Sequence, residues 1–178
     1  MKALIVLVAA GTLLTGAAAV PEAVATPARP AGVVGWAQIR FHYAPNDDIR
    51  FRFDAHAAAF TRPTPQAPSG LPTDARGTVH FSHRIGDTTF RVEAAVECLL
   101  TGGPSATVTA LVTSTSHGQL PTGMRVGFSV LDADQDRMGF SWGLADGTDL
   151  RPCLAPAPFA PTVRGDFTVH HADAPLPR

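Results

Sequence analysis

The sequence predicts an all-β protein of about eight antiparallel strands, closed as a barrel or packed as a two-sheet sandwich, with one disulfide. Apolar residues recur at every second position through most of the chain, which marks half-buried strands, and few windows sustain a 3.6-residue period. The strand-like runs are joined by short turn sequences such as Arg84-Ile85-Gly86-Asp87 and Thr101-Gly102-Gly103-Pro104. A parallel pair needs a crossover of about a dozen residues or more. No stretch resembles a crossover helix; the one helix-like window, Asp54–Phe60, is rich in Ala but short. The 178 residues, 45% of them apolar, suffice for one packed domain.

In chain order, Met1-Lys2 supplies a positive charge, Ala3–Ala10 an apolar run, and Gly16-Ala17-Ala18-Ala19 the small residues of a cleavage site. Residues 1–19 therefore read as a cleaved export signal, and Ala23-Val24-Ala25 offers a second cleavage option. Gly11, Gly16 and the wealth of Ala and Thr disfavour a retained membrane anchor, so no stable membrane insertion is expected after cleavage. Residues 20–32 are small and proline-rich and read as a disordered lead-in to a β domain over 33–171, with 172–178 as a tail. The mature protein is expected outside the cell or at its envelope.

Strand alternation begins with Ile39, Phe41 and Tyr43 against Gln38, Arg40 and His42, then Ile49, Phe51 and Phe53 against Arg50, Arg52 and Asp54. Val79 and Phe81 follow after a proline-rich surface loop at Thr61–Pro72. The longest run places Phe90, Val92, Ala94, Val96 and Cys98 on one face and Arg91, Glu93 and Glu97 on the other. Val108, Ala110 and Val112 come next, followed by Met124 to Val130, Met138 to Trp142, and Phe167 with Val169. Cys98 and Cys153 are expected to pair, because export delivers them to an oxidising compartment.

Three patterns invite a chemical reading. Gly139-Phe140-Ser141-Trp142-Gly143 matches the nucleophile elbow of α/β-hydrolases, with Asp146, Asp149, Asp166, His170 and His171 downstream. That elbow needs a strand turning into a helix, and here a turn sequence follows, so an ordinary strand is expected. Asp132, Asp134 and Asp136 alternate like the opening of a calcium loop, but Arg137 stands where an EF-hand needs Gly and Gly143 where it needs Glu. Calcium binding at these three residues is kept as the alternative to a solvated turn; otherwise no cofactor is expected. His80 with His83, and His170 with His171, would project to opposite faces of a regular strand and so not share a metal ion.

A formal net charge of −1 and a pI near 6.6 give no electrostatic case for nucleic acid. The aromatic residues mostly follow the inward phase, so they do not form a stacking platform for bases. Arg40, Arg50, Arg52 and Arg91 fall on polar faces, where they would pair across strands with Glu93, Glu97 or Asp54 or form an anion-binding patch.

The block from Gly77 to Val169 resembles a group of small secreted bacterial β-rich proteins. The resemblance rests on Val96-Glu97-Cys98-Leu99, Ala106-Thr107-Val108-Thr109-Ala110, the segment Val126–Asp132, the segment Asp136–Trp142, and Gly165-Asp166-Phe167-Thr168-Val169. It implies an export signal followed by a β domain and carries no activity. The sequence thus leads to the expectation of an exported, non-enzymatic binding or structural module. Its expected partner is a small apolar ligand in a barrel interior or an envelope component, and not nucleic acid. The alternative is a secreted hydrolase using Ser141 or the acidic loop Asp132–Asp149.

Overall fold

The computed structural model describes residues 29–118, 120–141 and 150–176. Eight strands follow in order: β1 (Gly32–Ile39), β2 (Asp48–Ala57), β3 (Ala75–Ile85), β4 (Thr88–Gly102), β5 (Ser105–Thr115), β6 (Arg125–Leu131), β7 (Arg137–Phe140) and β8 (Ala160–His170). Each is antiparallel to its chain neighbour, and β8 returns to pair with β1, closing a barrel. Of the two architectures open to the sequence, this is the barrel. The Asp54–Phe60 window is not helical: residues up to Ala57 extend β2, because Phe53 and Ala55 continue its inward alternation. The first strand lies upstream of its expected place, since Phe41 and Tyr43 belong to the β1–β2 loop and Val33, Ala37 and Ile39 form the inward set of β1. Packed chain begins ahead of β1, with Ala31 buried and its carbonyl accepting the Ala57 amide.

The inward positions fill the barrel with aromatic rings. Phe51, Phe53, Phe128, Phe140 and Phe167 are fully buried, and Phe53 meets Phe128 and Phe167 edge-on at 5.4 Å. Phe51 bridges to Phe81 and Phe140 at 6.0 and 5.6 Å. Edge-to-face pairs at such distances add roughly 0.5–1.5 kcal/mol each beyond the area they bury. Gly35 lies opposite both Phe53 and Phe167 at φ 121°, and a Cβ there would collide with the Asp166 carbonyl. Only glycine lets the sheet coil this tightly, and the two rings pack across the gap.

Two irregularities shape the outside. The β4–β5 ladder slips between Val96 and Cys98, making Glu97 an extra residue. The slip reverses the inward phase, so Leu99 joins the core and Cys98 pairs opposite the outward Thr109. The placement of Cys98 on the face of Phe90 and Val96 is thereby corrected. Turned outward, Cys98 reaches Cys153 in a disulfide with a Cα separation of 5.5 Å.

The second irregularity is the chain from Leu150 to Phe159, which crosses the outside of the barrel as a strap. Arg125 donates to the Leu150 carbonyl at 2.9 Å, Cys153 N to Thr109 Oγ1 at 3.1 Å, and Ser129 Oγ to the Pro156 carbonyl. Arg137 donates to the carbonyls of Pro158 and Phe159. Gly127 and Gly139 provide the flat floor, for a Cβ at either would meet the carbonyl of Leu154 or of Ala157.

Candidate functional site

The strap occupies the exterior over β4–β7, so the opposite exterior, over β8, β1, β2, β3 and the start of β4, is where outward side chains meet solvent. The register sets Trp36 opposite Asp166 on one side and Arg52 on the other, and continues through His80 to Glu93. Directly opposed side chains in such a ladder have Cβ atoms about 4.5–5.5 Å apart. Two residues along the strands, a second row runs Arg164, Gln38, Arg50, Ser82, Arg91. Trp36 is 47% exposed, a large apolar ring set among polar neighbours with only part of its surface covered.

Arg50 is committed locally: its guanidinium pairs with both oxygens of Asp48, at 2.8 and 2.7 Å, with Arg84 at 3.6 Å from the same carboxylate. Hydrogen bonding to Arg50 holds the Asp48 carboxyl below the usual carboxylate range, against an opposing effect of burial. Arg52, Arg91 and Arg164 hold no ion pair among the described residues. Of the partners expected for these arginines, Glu97 goes to Arg125 and Asp54 to His56. Two hollows flank the Trp36, Arg52 and His80 row. One of about 310 Å³ lies toward Arg50, Ser82 and Arg91, and one of about 530 Å³ toward Val34, Asp54 and Thr78. The β8 side is acidic, and the charge of Asp136, then burial and the charge of Asp132, push the Asp166 carboxyl above its usual range.

The acidic turn has a structural task. Among the described residues β7 pairs with β8 only at Arg137 and Met138, and no other described strand pairs with the rest of that β8 edge. Asp136, 3% exposed, accepts the amides of Phe167 at 2.6 Å and Ala133 at 3.1 Å. Asp132 accepts the amide of Val169 at 2.8 Å. Asp134 is exposed and joins neither bond. These carboxylates substitute for a missing ladder, and no group of three or more metal-ligating side chains converges among the described residues.

Ser141 is 4% exposed, and its hydroxyl accepts the Gly127 amide at 3.0 Å while its own amide donates to the Gly127 carbonyl. It continues the β6–β7 ladder by one rung. Trp142, Asp146 and Asp149 lie outside the described residues. The histidines are dispersed: His80 faces Glu93 at 4.0 Å, His83 bonds Asp47, His170 meets the Arg29 carbonyl and His171 bonds Thr101.

Trp36 is the residue that sequence reasoning missed. The signal was present, because Gln38 is outward and the same phase two residues upstream falls on Trp36. An apolar cleft of about 350 Å³ lies at one barrel end, between Pro30, Pro72, Leu99, Leu100 and Ala172. Comparison with known proteins finds no matching family model, no matching curated protein and no matching solved structure.

Proposed function

We propose that this chain is an exported, non-enzymatic binding module that engages an envelope component through the outer face around Trp36. The observation that carries this reading is the asymmetry of the exterior: a disulfide-fixed strap covers one side, and a half-exposed Trp36 stands in a row of charged side chains on the other. The interior, filled by phenylalanines, directs a ligand to the outside. The outward residues of β2, Arg50, Arg52 and Asp54, reverse the polarity of a lipid-facing barrel, whose outward band is apolar. The Cys98–Cys153 bond fits an oxidising compartment, and the signal-like residues 1–19 fit export.

Co-sedimentation of the purified mature domain with insoluble, protein-stripped envelope polymer tests the reading. Wild type pellets with the polymer, and Trp36→Ala, folded by circular dichroism, stays in the supernatant. Equal pelleting of the two proteins, or no pelleting of either, overturns the reading. N-terminal sequencing of the exported protein checks the address, with Val20 expected as the first residue.

A further inference from the structure

The row through Trp36 carries a chemical specification for its ligand. An exposed indole offers an apolar platform, and its two flanks differ: a carboxylate at Asp166 and a guanidinium at Arg52. A sugar ring matches this arrangement. It has an apolar C–H face to lay on the indole and hydroxyls around its edge, which donate to Asp166 and accept from Arg52. The next row adds further donors in Gln38, Ser82, Arg91 and Arg164. From Arg164 on β8 to Arg91 on β4 there are four inter-strand steps, roughly 19 Å at about 4.8 Å each, long enough for several rings of a polymer.

The charge pattern narrows the class. Arg52, Arg91 and Arg164 have no carboxylate partner among the described residues, and a guanidinium fork is best satisfied by a planar carboxylate. A single-stranded nucleic acid fits poorly, because its successive bases need a series of aromatic platforms and these two rows offer one indole, Trp36. A folded protein partner needs a central apolar core in its interface, and Trp36 has charged residues opposite it on both sides, Asp166 and Arg52, with Val34 the one apolar residue beside it on the outward face of β1.

We propose that the outer face centred on Trp36 binds a carboxylate-bearing polysaccharide, with Trp36 stacking on a sugar ring, Asp166 accepting ring hydroxyls and Arg52 and Arg91 pairing with the carboxylates. The inference rests on the envelope-binding reading and specifies its ligand.

The test is titration calorimetry of the mature domain with polygalacturonate, its methyl ester, neutral dextran and single-stranded DNA. Polygalacturonate binds; its methyl ester, lacking the charge, binds at least about tenfold more weakly, and dextran and DNA do not bind measurably. Trp36→Ala weakens polygalacturonate binding about tenfold or more, Trp36→Phe restores most of it, and Arg52→Gln with Arg91→Gln weakens it comparably. Thermal melts matching wild type exclude misfolding of the variants. Polygalacturonate binding that Trp36→Ala leaves intact, or equal binding of DNA, reduces the face to unspecific charge and overturns the inference. Failure of polygalacturonate to bind, while envelope pelleting still depends on Trp36, overturns the acidic-sugar class and leaves the binding module standing. Pelleting that ignores Trp36 removes both.

Discussion

Asp136→Ala probes the least obvious support of the barrel. The carboxylate is buried and accepts two backbone amides, from Phe167 at 2.6 Å and Ala133 at 3.1 Å. Hydrogen bonds to a charged group are worth about 1.5–3 kcal/mol each, so their joint loss costs about 3–6 kcal/mol. Relief of the repulsion from Asp132 and Asp166 subtracts from that figure, since the Asp136 charge is the first cause that raises the Asp166 carboxyl. A net loss of about 2–5 kcal/mol is a large part of the roughly 5–15 kcal/mol available to a domain. Urea unfolding at pH 7 measures it, and Asp136→Asn, which keeps one oxygen for the Phe167 amide, loses less. Hydrogen exchange adds the location: the amides of Phe167 and Ala133, which lose their acceptor, lose protection first in the Ala variant. A loss below about 1 kcal/mol, or unchanged exchange at Phe167, would refute the assignment of this carboxylate as a stand-in for a strand.

Further predictions follow from neighbouring features. Asp166→Asn raises the melting temperature at pH 7, because a carboxyl held above its usual range is destabilised in its charged form. The gain shrinks as pH falls through the raised folded value toward the unfolded one, and thermal melts at pH 7 and pH 3 read this. Asp48→Asn has the opposite sign: the pairing with Arg50 and Arg84 contributes above the ordinary carboxylate value and fades as pH drops through the depressed one, so melts converge only in strong acid. Reduction, or Cys98→Ser with Cys153→Ser, removes a tie across 55 residues worth roughly 4 kcal/mol on the loop-closure model, measured by calorimetry with and without reductant. Ser141→Ala leaves the Gly127 amide without its acceptor and costs about 1–3 kcal/mol, while hydrolysis of p-nitrophenyl acetate stays at background before and after the change.

The alternation of β2 and β3 could be read directly, because each has a wet and a dry face and a period of two leaves no other assignment for Phe51, Phe53, Val79 and Phe81. Barrel closure could not. It depends on Gly32 to Ile39 meeting Thr162 to His170, a pairing between chain ends that no local pattern encodes. The cysteine pair was legible from compartment and count, yet the route to it was not, since the extra Glu97 turns Cys98 outward and nothing in Val96-Glu97-Cys98-Leu99 announces a slip. Asp132 and Asp136 stood out as alternating carboxylates. Their purpose lies in amides more than thirty positions further on, at Phe167 and Val169, so a solvated turn, with a cation as its alternative, is the nearer explanation from sequence. Trp36 escapes the sequence reading because the alternation becomes regular only from Gln38, six residues after β1 begins at Gly32.

The ladder between β1 and β8 has a consequence for the order of the chain itself. Every other ladder in the barrel joins neighbours in sequence, so this one alone closes the full loop of the polypeptide. Its partners, Gly32 and His170, bring the entry and exit of the domain side by side. A short linker there, with new ends opened at the exposed Gly102-Gly103 turn, gives a circular permutant that retains the Trp36 face and the disulfide. In that permutant β1 and β8 become a local hairpin and the β4–β5 ladder becomes the distant closure. Since loops must close before distant contacts reward it, the slow step of folding would migrate from one seam of the barrel to another while the native fold stayed the same.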